Sequence, residues 1–250
     1  MKSFLFLSII FYLLASCSHD RPKGDTEAEI LYKEAQQLVE KERFLLAIEK
    51  LNMIRSQFPY SYYATHAELL NADVLYNQEN YVEAAAAYIM FKDFHPKHPK
   101  NAYVNWKIAE SFYNQLPSTF DRDLSSGDDA IKYYEYILTN YPNSEYEKDA
   151  KARIVYIKKM QEDKEQYVAD FYFKTKDYDA AIFRYKSILN NFDNLELRKH
   201  SMEKIIMASF FQEKYDECKQ YANSYSGFFS PDQKEKIIKI GQQCQDKLVK

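Results

Sequence analysis

The chain has 250 residues, 34 basic and 37 acidic side chains, a net charge of −3 and a pI near 6.0. It therefore lacks the basic surface that nucleic-acid binding requires, and no nucleic-acid partner is expected. Hydrophobic residues at 46% and charged residues at 28% describe a globular chain and exclude wholesale disorder. Four glycines are too few for the phosphate loops of most α/β enzymes, and with seven prolines they predict helices joined by short connections.

In chain order, Lys2 and the mostly apolar run Ser3 to Ala15 come first. This run is too short to span a bilayer of about 30 Å and reads as a secretory signal over residues 1–16. It ends in Leu14-Ala15-Ser16-Cys17. That resembles the lipobox of bacterial lipoproteins, in which an aliphatic residue and two small ones precede an acylated cysteine. The resemblance implies Cys17 as the lipid-attachment residue, with this covalent lipid and no other cofactor. The plain alternative is a cleaved signal with a chance cysteine. Several acyl chains anchor firmly because each buried CH₂ contributes about 0.8 kcal/mol. In lipoprotein families Asp after the cysteine favours inner-membrane retention, so Ser18 implies the outer membrane, on its periplasmic side. Residues 17–25 have no apolar period and read as an acylated tether.

From there the chain repeats itself. Ala47, Ala84, Ala130, Ala181 and Cys218 are small residues at intervals of 37, 46, 51 and 37. Four on from each stand Leu51, Tyr88, Tyr134, Tyr185 and Ala222, and twelve on stand Pro59, Pro96, Pro142 and Asp193. Twelve before come Ala35, Ala72 and Ala169, with Ala109 in that part in the third unit. A small residue lets two helix backbones approach, the residue four on shares its face, and proline ends the helix. The fold class predicted is all-α: stacked helix hairpins over residues 26–224, in repeats 26–59, 61–96, 100–142, 144–192 and 194–224. Capping boxes are expected at Thr26-x-x-Glu29 and Ser144-x-x-Glu147. The longer intervals are explained by a loop over residues 116–127 and by Ser144 to Lys174, one long helix or two abutting ones. Residues 231–250 place Ile237, Ile240, Cys244 and Leu248 on one stripe, as a helix capping the stack would.

The small–aromatic–proline spacing resembles the tetratricopeptide repeat (TPR), lengthened from about 34 to 37 residues, and implies a TPR-like α-solenoid. A lipobox followed at once by five such hairpins, with an insertion in the third, resembles the BamD family, lipoprotein subunits of the outer-membrane β-barrel assembly machinery. The stretches that carry the resemblance are Ala47-Ile48 to Phe58-Pro59, Tyr141-Pro142-Asn143-Ser144, and Val168-Ala169-Asp170-Phe171-Tyr172 leading to Tyr178. It implies docking of the C-terminal half on the periplasmic domains of a BamA-like barrel protein, beside other lipoproteins of the machinery. It also implies recognition of unfolded outer-membrane proteins by the N-terminal hairpins. A different periplasmic TPR adaptor, such as one organising cell-wall synthesis, is the alternative.

In a TPR stack the first helix of each hairpin lines the concave side. Counting from Ala35, Ala72 and Ala109 gives Tyr32, Gln36 and Val39; His66, Asp73, Tyr76 and Asn77; and Tyr103, Trp106, Glu110, Tyr113 and Asn114. An aromatic, partly polar groove of this kind suits extended peptides that carry aromatic side chains. The same rings at helical spacing would equally serve as core.

No Gly-rich phosphate loop, His-Glu-x-x-His motif or nucleophile elbow occurs, and the chain reads as a binding protein, not an enzyme. His95 and His98 beside Asp93 lack a third ligand at metal spacing, so no metal is expected. Asp121-Arg122-Asp123 reads as a solvated charge cluster. Cys218 and Cys244 are either two buried small hydrophobes or a disulfide joining the last hairpin to the capping helix.

Overall fold

Helices joined by short turns make up the computed structural model, which describes residues 21–249. The predicted signal and Cys17 lie outside the described residues. The chain divides at Gln115/Leu116 into two compact units. The first holds α1 (Glu27–Glu40), α2 (Phe44–Gln57), α3 (Tyr62–Asn77), α4 (Tyr81–Phe94) and α5 (Asn101–Tyr113). The second holds α6 (Ser125–Asn140), α7 (Glu147–Lys174), α8 (Tyr178–Asn191), α9 (Leu195–Phe211), α10 (Tyr215–Tyr225) and α11 (Pro231–Leu248). Among the described residues there is no strand, and no helix is long and apolar enough to cross a membrane. These are TPR-like hairpins of an α-solenoid. Four of them, α1/α2, α3/α4, α7/α8 and α9/α10, lie whole within a unit. The expected third hairpin would pair α5 with α6, and these two helices fall in different units.

Burial follows the repeat. Ala35, Ala72, Ala109 and Ala169 on first helices, and Ala47, Ala84, Ala130, Ala181 and Cys218 on second helices, are fully buried. So are Leu51, Tyr88, Tyr134 and Tyr185, four residues on. The second helices stop where proline forces them to. Phe58, His95 and Tyr141 precede Pro59, Pro96 and Pro142 and leave helical geometry at φ −130°, −124° and −130°. Gly127 packs α6 onto α7 so closely that a Cβ would lie 2.7 Å from Ile157 Cγ2.

The first helices end differently. Glu42, Glu79, Lys176 and Glu213 all have φ between 55° and 66°. At Glu79, its N–H donates to the Tyr76 carbonyl and the Asn80 N–H to the Leu75 carbonyl, both at 3.0 Å. This is the Schellman ending that glycine usually occupies. A chain with four glycines turns here on ordinary residues instead.

Two predicted details differ. Thr26 Oγ1 does accept from the Glu29 N–H at 3.2 Å. Ser144 caps nothing: α7 begins at Glu147, whose Oε2 accepts from the Asn143 N–H at 2.9 Å, and Ser144 Oγ is buried without a hydrogen bond. Glu147 is drawn to the left-handed Asn143 turn, φ 63°, not to a capping serine. Within the stretch from Ser144 to Lys174, Glu147–Lys174 is one helix of 28 residues. The tether's last residues are also not loose, since Arg21 pairs with Glu27 and Glu34, and Lys33 donates to the Lys23 carbonyl at 2.9 Å.

Buried tyrosines need acceptors. In α3, Asp73 Oδ1 accepts from the Tyr88 hydroxyl of α4 at 2.6 Å and from the Tyr103 hydroxyl of α5 at 2.7 Å. In α7, Asp170 Oδ1 accepts from the Tyr185 hydroxyl of α8 at 2.5 Å and lies 2.7 Å from His200 Nε2 of α9. Each carboxylate thus ties three successive helices. Burial, then the Asp73 carboxylate, pushes the Tyr88 phenol far above its ordinary value. Burial raises the Asp170 carboxyl, but the hydrogen bonds from His200 and Tyr185 outweigh it and hold it below the usual carboxylate range. Towards the carboxyl terminus, Ile237 and Cys244 of α11 are buried against Cys218 and Ala222 of α10, while Leu248 is 39% exposed. The Cα atoms of Cys218 and Cys244 are 6.2 Å apart and the sulfurs are bridged.

Four expectations test these features. A left-handed backbone costs an L-residue roughly 1–2 kcal/mol, and glycine recovers part of it. Glu79→Gly should therefore raise unfolding stability by about 1 kcal/mol in urea titrations. Tyr88→Phe should lower it by about 1–2 kcal/mol, because one hydrogen bond to a carboxylate is lost. A group depressed in the folded state stabilises above its unfolded pKa and loses that contribution as pH falls through the folded value. Stability should drop below about pH 4, less steeply in Asp170→Asn, as followed by acid titration of circular dichroism. The Cys218–Cys244 bridge should appear as a loss of two mass units in the unreduced chain, recovered on reduction.

Candidate peptide-binding face

The predicted residues sit on α1, α3 and α5, all within the unit that ends at Gln115. At the α1–α3 junction the Tyr32 ring lies 5.6 Å from Tyr63 and meets His66 edge-on at 6.0 Å. His66 packs 4.2 Å from the Tyr62 ring, and its Nδ1 is 3.0 Å from the Tyr62 carbonyl oxygen. Between α3 and α5, Asn114 Nδ2 donates to the Tyr76 hydroxyl at 3.0 Å and to the Glu110 carbonyl at 2.8 Å. Trp106 and Tyr113 are half-buried on α5, and Gln36 and Asn77 are exposed.

Two predicted positions do not line an open face. Glu110 is buried, only 7% exposed. Asp73 is half-buried and committed to Tyr88 and Tyr103. Each directly follows the small residue of its helix, a position that here turns into the packing. Gln36 also follows a small residue but stays exposed. Leu51 stands fifteen residues on, where Tyr88 stands relative to Asp73, and offers no hydroxyl.

The structure adds residues that the repeat count missed. The Lys107 ammonium lies 3.6 Å from the Tyr76 ring centroid and 5.8 Å from that of Tyr103. Burial holds its pKa below the ordinary lysine value, although Asp73 and Glu110 pull the other way. Burial likewise raises the Tyr32 phenol. His98, against the Phe91 ring at 5.0 Å, is held low by burial and by His66 and His95. Tyr62, His66, Phe94, Pro96 and His98 wall a cleft of about 510 Å³. A cleft of about 820 Å³ along α2 and α3, with Ile48, Met53 and Arg55 in its lining, involves none of the predicted residues. His95 is paired with Glu68 at 2.8 Å, and among the described residues no three metal-ligating side chains converge.

What these side chains offer is aromatic surface and hydrogen-bond donors held in place, which suits binding of a segment that brings its own rings and carbonyls. Residues 24–223 match the family described as outer membrane lipoprotein, YfiO. The chain is 28% identical over 230 residues to the outer membrane protein assembly factor BamD of Rickettsia prowazekii (strain Madrid E), covering 91% of each. It is 30% identical over 187 residues to the protein of the same name from Neisseria gonorrhoeae, covering 71% of this chain and 70% of that one. Among solved structures it is similar to the TPR2AB domain of yeast Sti1, at a TM-score of 0.46 and 12% identity, over 91% of this chain and 100% of that one. With a family match over most of its length and relatives at this identity, the chain belongs to the YfiO family of outer membrane lipoproteins.

Proposed function

We propose that this chain is an assembly factor for outer-membrane β-barrel proteins, held by lipid on Cys17 at the periplasmic side of the outer membrane. The family match over residues 24–223 carries the reading, because it spans the repeats and reaches curated relatives named for that role. The work is binding, with no bond made or broken. The aromatic face of α1, α3 and α5 takes segments of unfolded outer-membrane proteins. The C-terminal half docks on the periplasmic domains of a BamA-like barrel protein, alongside other lipoproteins of the machinery. The arrangement of rings supports this: Tyr32, Tyr76 and Tyr103 are braced by neighbours, so little side-chain freedom is lost when a segment lies against them.

Affinity capture of the tagged chain after gentle detergent extraction tests the reading. A large barrel protein with periplasmic repeats should co-purify, and Cys17→Ser should release the chain from the membrane fraction. Recovery of cell-wall synthesis enzymes without a barrel protein would replace this proposal with the adaptor alternative.

A further inference from the structure

The two units carry the same constellation of side chains, 97 residues apart. Asp73 and Asp170 each tie a tyrosine fifteen residues on and a second side chain thirty on. Three residues after each aspartate stands a ring, Tyr76 or Phe173. Each meets a tyrosine edge-on, Tyr81 at 5.3 Å and Tyr178 at 5.6 Å, both at 70°. Thirty-four after each aspartate stands a lysine, and its ammonium lies over that same ring: Lys107 at 3.6 Å from Tyr76 and Lys204 at 4.3 Å from Phe173. Both lysines are half-buried. Among the described residues neither ammonium has a hydrogen-bond acceptor or an ion-pair partner. Lys186 is different: it lies 5.0 Å over the Tyr221 ring, and its ammonium donates to the Tyr221 hydroxyl at 2.7 Å.

We infer that Lys107 and Lys204 are two equivalent reading points, one in each unit, for the main-chain carbonyls of an extended polypeptide whose neighbouring aromatic side chain settles on the adjoining rings. An ammonium has three donors, and a ring face satisfies its charge without accepting all of them. Its charge is also balanced at longer range, by Asp73 and Glu110 at Lys107 and by Asp170 at Lys204. Hydrogen-bonding capacity is left over while net charge is not. That combination favours a neutral acceptor over a carboxylate, which the nearby aspartate would repel. The aromatic partners are at hand: Tyr81 beside Tyr76, and Tyr178 stacked 5.5 Å from the half-exposed Phe211 beside Phe173. The inference rests on the peptide-binding reading above and specifies what that binding recognises: extended backbone plus an aromatic ring, read twice.

The test uses the whole mature chain and a fluorescent, end-capped, uncharged peptide with phenylalanine and tyrosine in an extended sequence, followed by anisotropy. Lys107→Met and Lys204→Met should each weaken binding about 2–10-fold, the range of one hydrogen bond. The double variant should lose more than either, Lys186→Met should bind as the unmodified chain does, and raising salt should change little. Circular dichroism of each variant guards against misfolding. Equal affinity in the double variant overturns the inference while leaving the assembly-factor reading intact. Equal losses in all three lysine variants, or binding restored only by an acidic peptide and abolished by salt, overturn it in favour of general charge attraction. A complete absence of peptide binding by the unmodified chain overturns both the inference and the peptide-binding face on which it rests.

Discussion

Each hairpin depends on helix backbones meeting across a single small side chain. Ala35, Ala47, Ala72, Ala84, Ala130 and Ala181 have no exposed surface, so nothing longer than a methyl group fits where they stand. Gly127 takes the same constraint to its limit against Ile157. Once the backbones are this close, the position four residues on faces the same seam and must be filled, and in three repeats a tyrosine fills it. A buried phenol brings its hydroxyl with it, and an unbonded buried hydroxyl is costly. The aspartate staples follow: Asp73 and Asp170 answer a need that the close packing created.

The staples in turn shape the face available for binding. Because Asp73 holds Tyr103 as well as Tyr88, the ring of Tyr103 is fixed from its hydroxyl end. Tyr76 is fixed by Tyr81, Lys107 and Asn114. An unfolded partner pays heavily in its own ordering when it binds, so a surface whose rings are already immobilised leaves more of the contact energy as affinity. The interactions that hold successive helices together therefore also prepare the surface.

The seams were legible in the sequence because they obey a local rule: a small residue, a large one four on, a proline or its substitute twelve on. The helix ends at Phe58, His95 and Tyr141 followed for the same reason. What escaped the repeat count depends on partners that one helix does not reveal. Asp73 lies on the predicted face by spacing, yet two tyrosines from other helices claim it. Glu110 is drawn inward. Ser144 matches a capping box, but the left-handed Asn143 turn recruits Glu147 first. Lys107 falls outside the counted positions altogether, and only its recurrence as Lys204, 97 residues on, hints at it in the sequence.

Arg21 changes the mechanical picture of the amino-terminal segment. With Cys17 as the proposed anchor, nine residues would give a leash of about 30 Å at full extension. The ion pairs of Arg21 with Glu27 and Glu34 fasten the segment to α1 at Arg21, so at most four residues, about 14 Å at full extension, would separate such an anchor from the fold. An anchor at Cys17 would then hold the first hairpin close to the surface it is fixed in. Because Arg21 is half-exposed and such pairs are individually weak, this fastening is a slipknot: raised salt or a modest load on the segment would undo it.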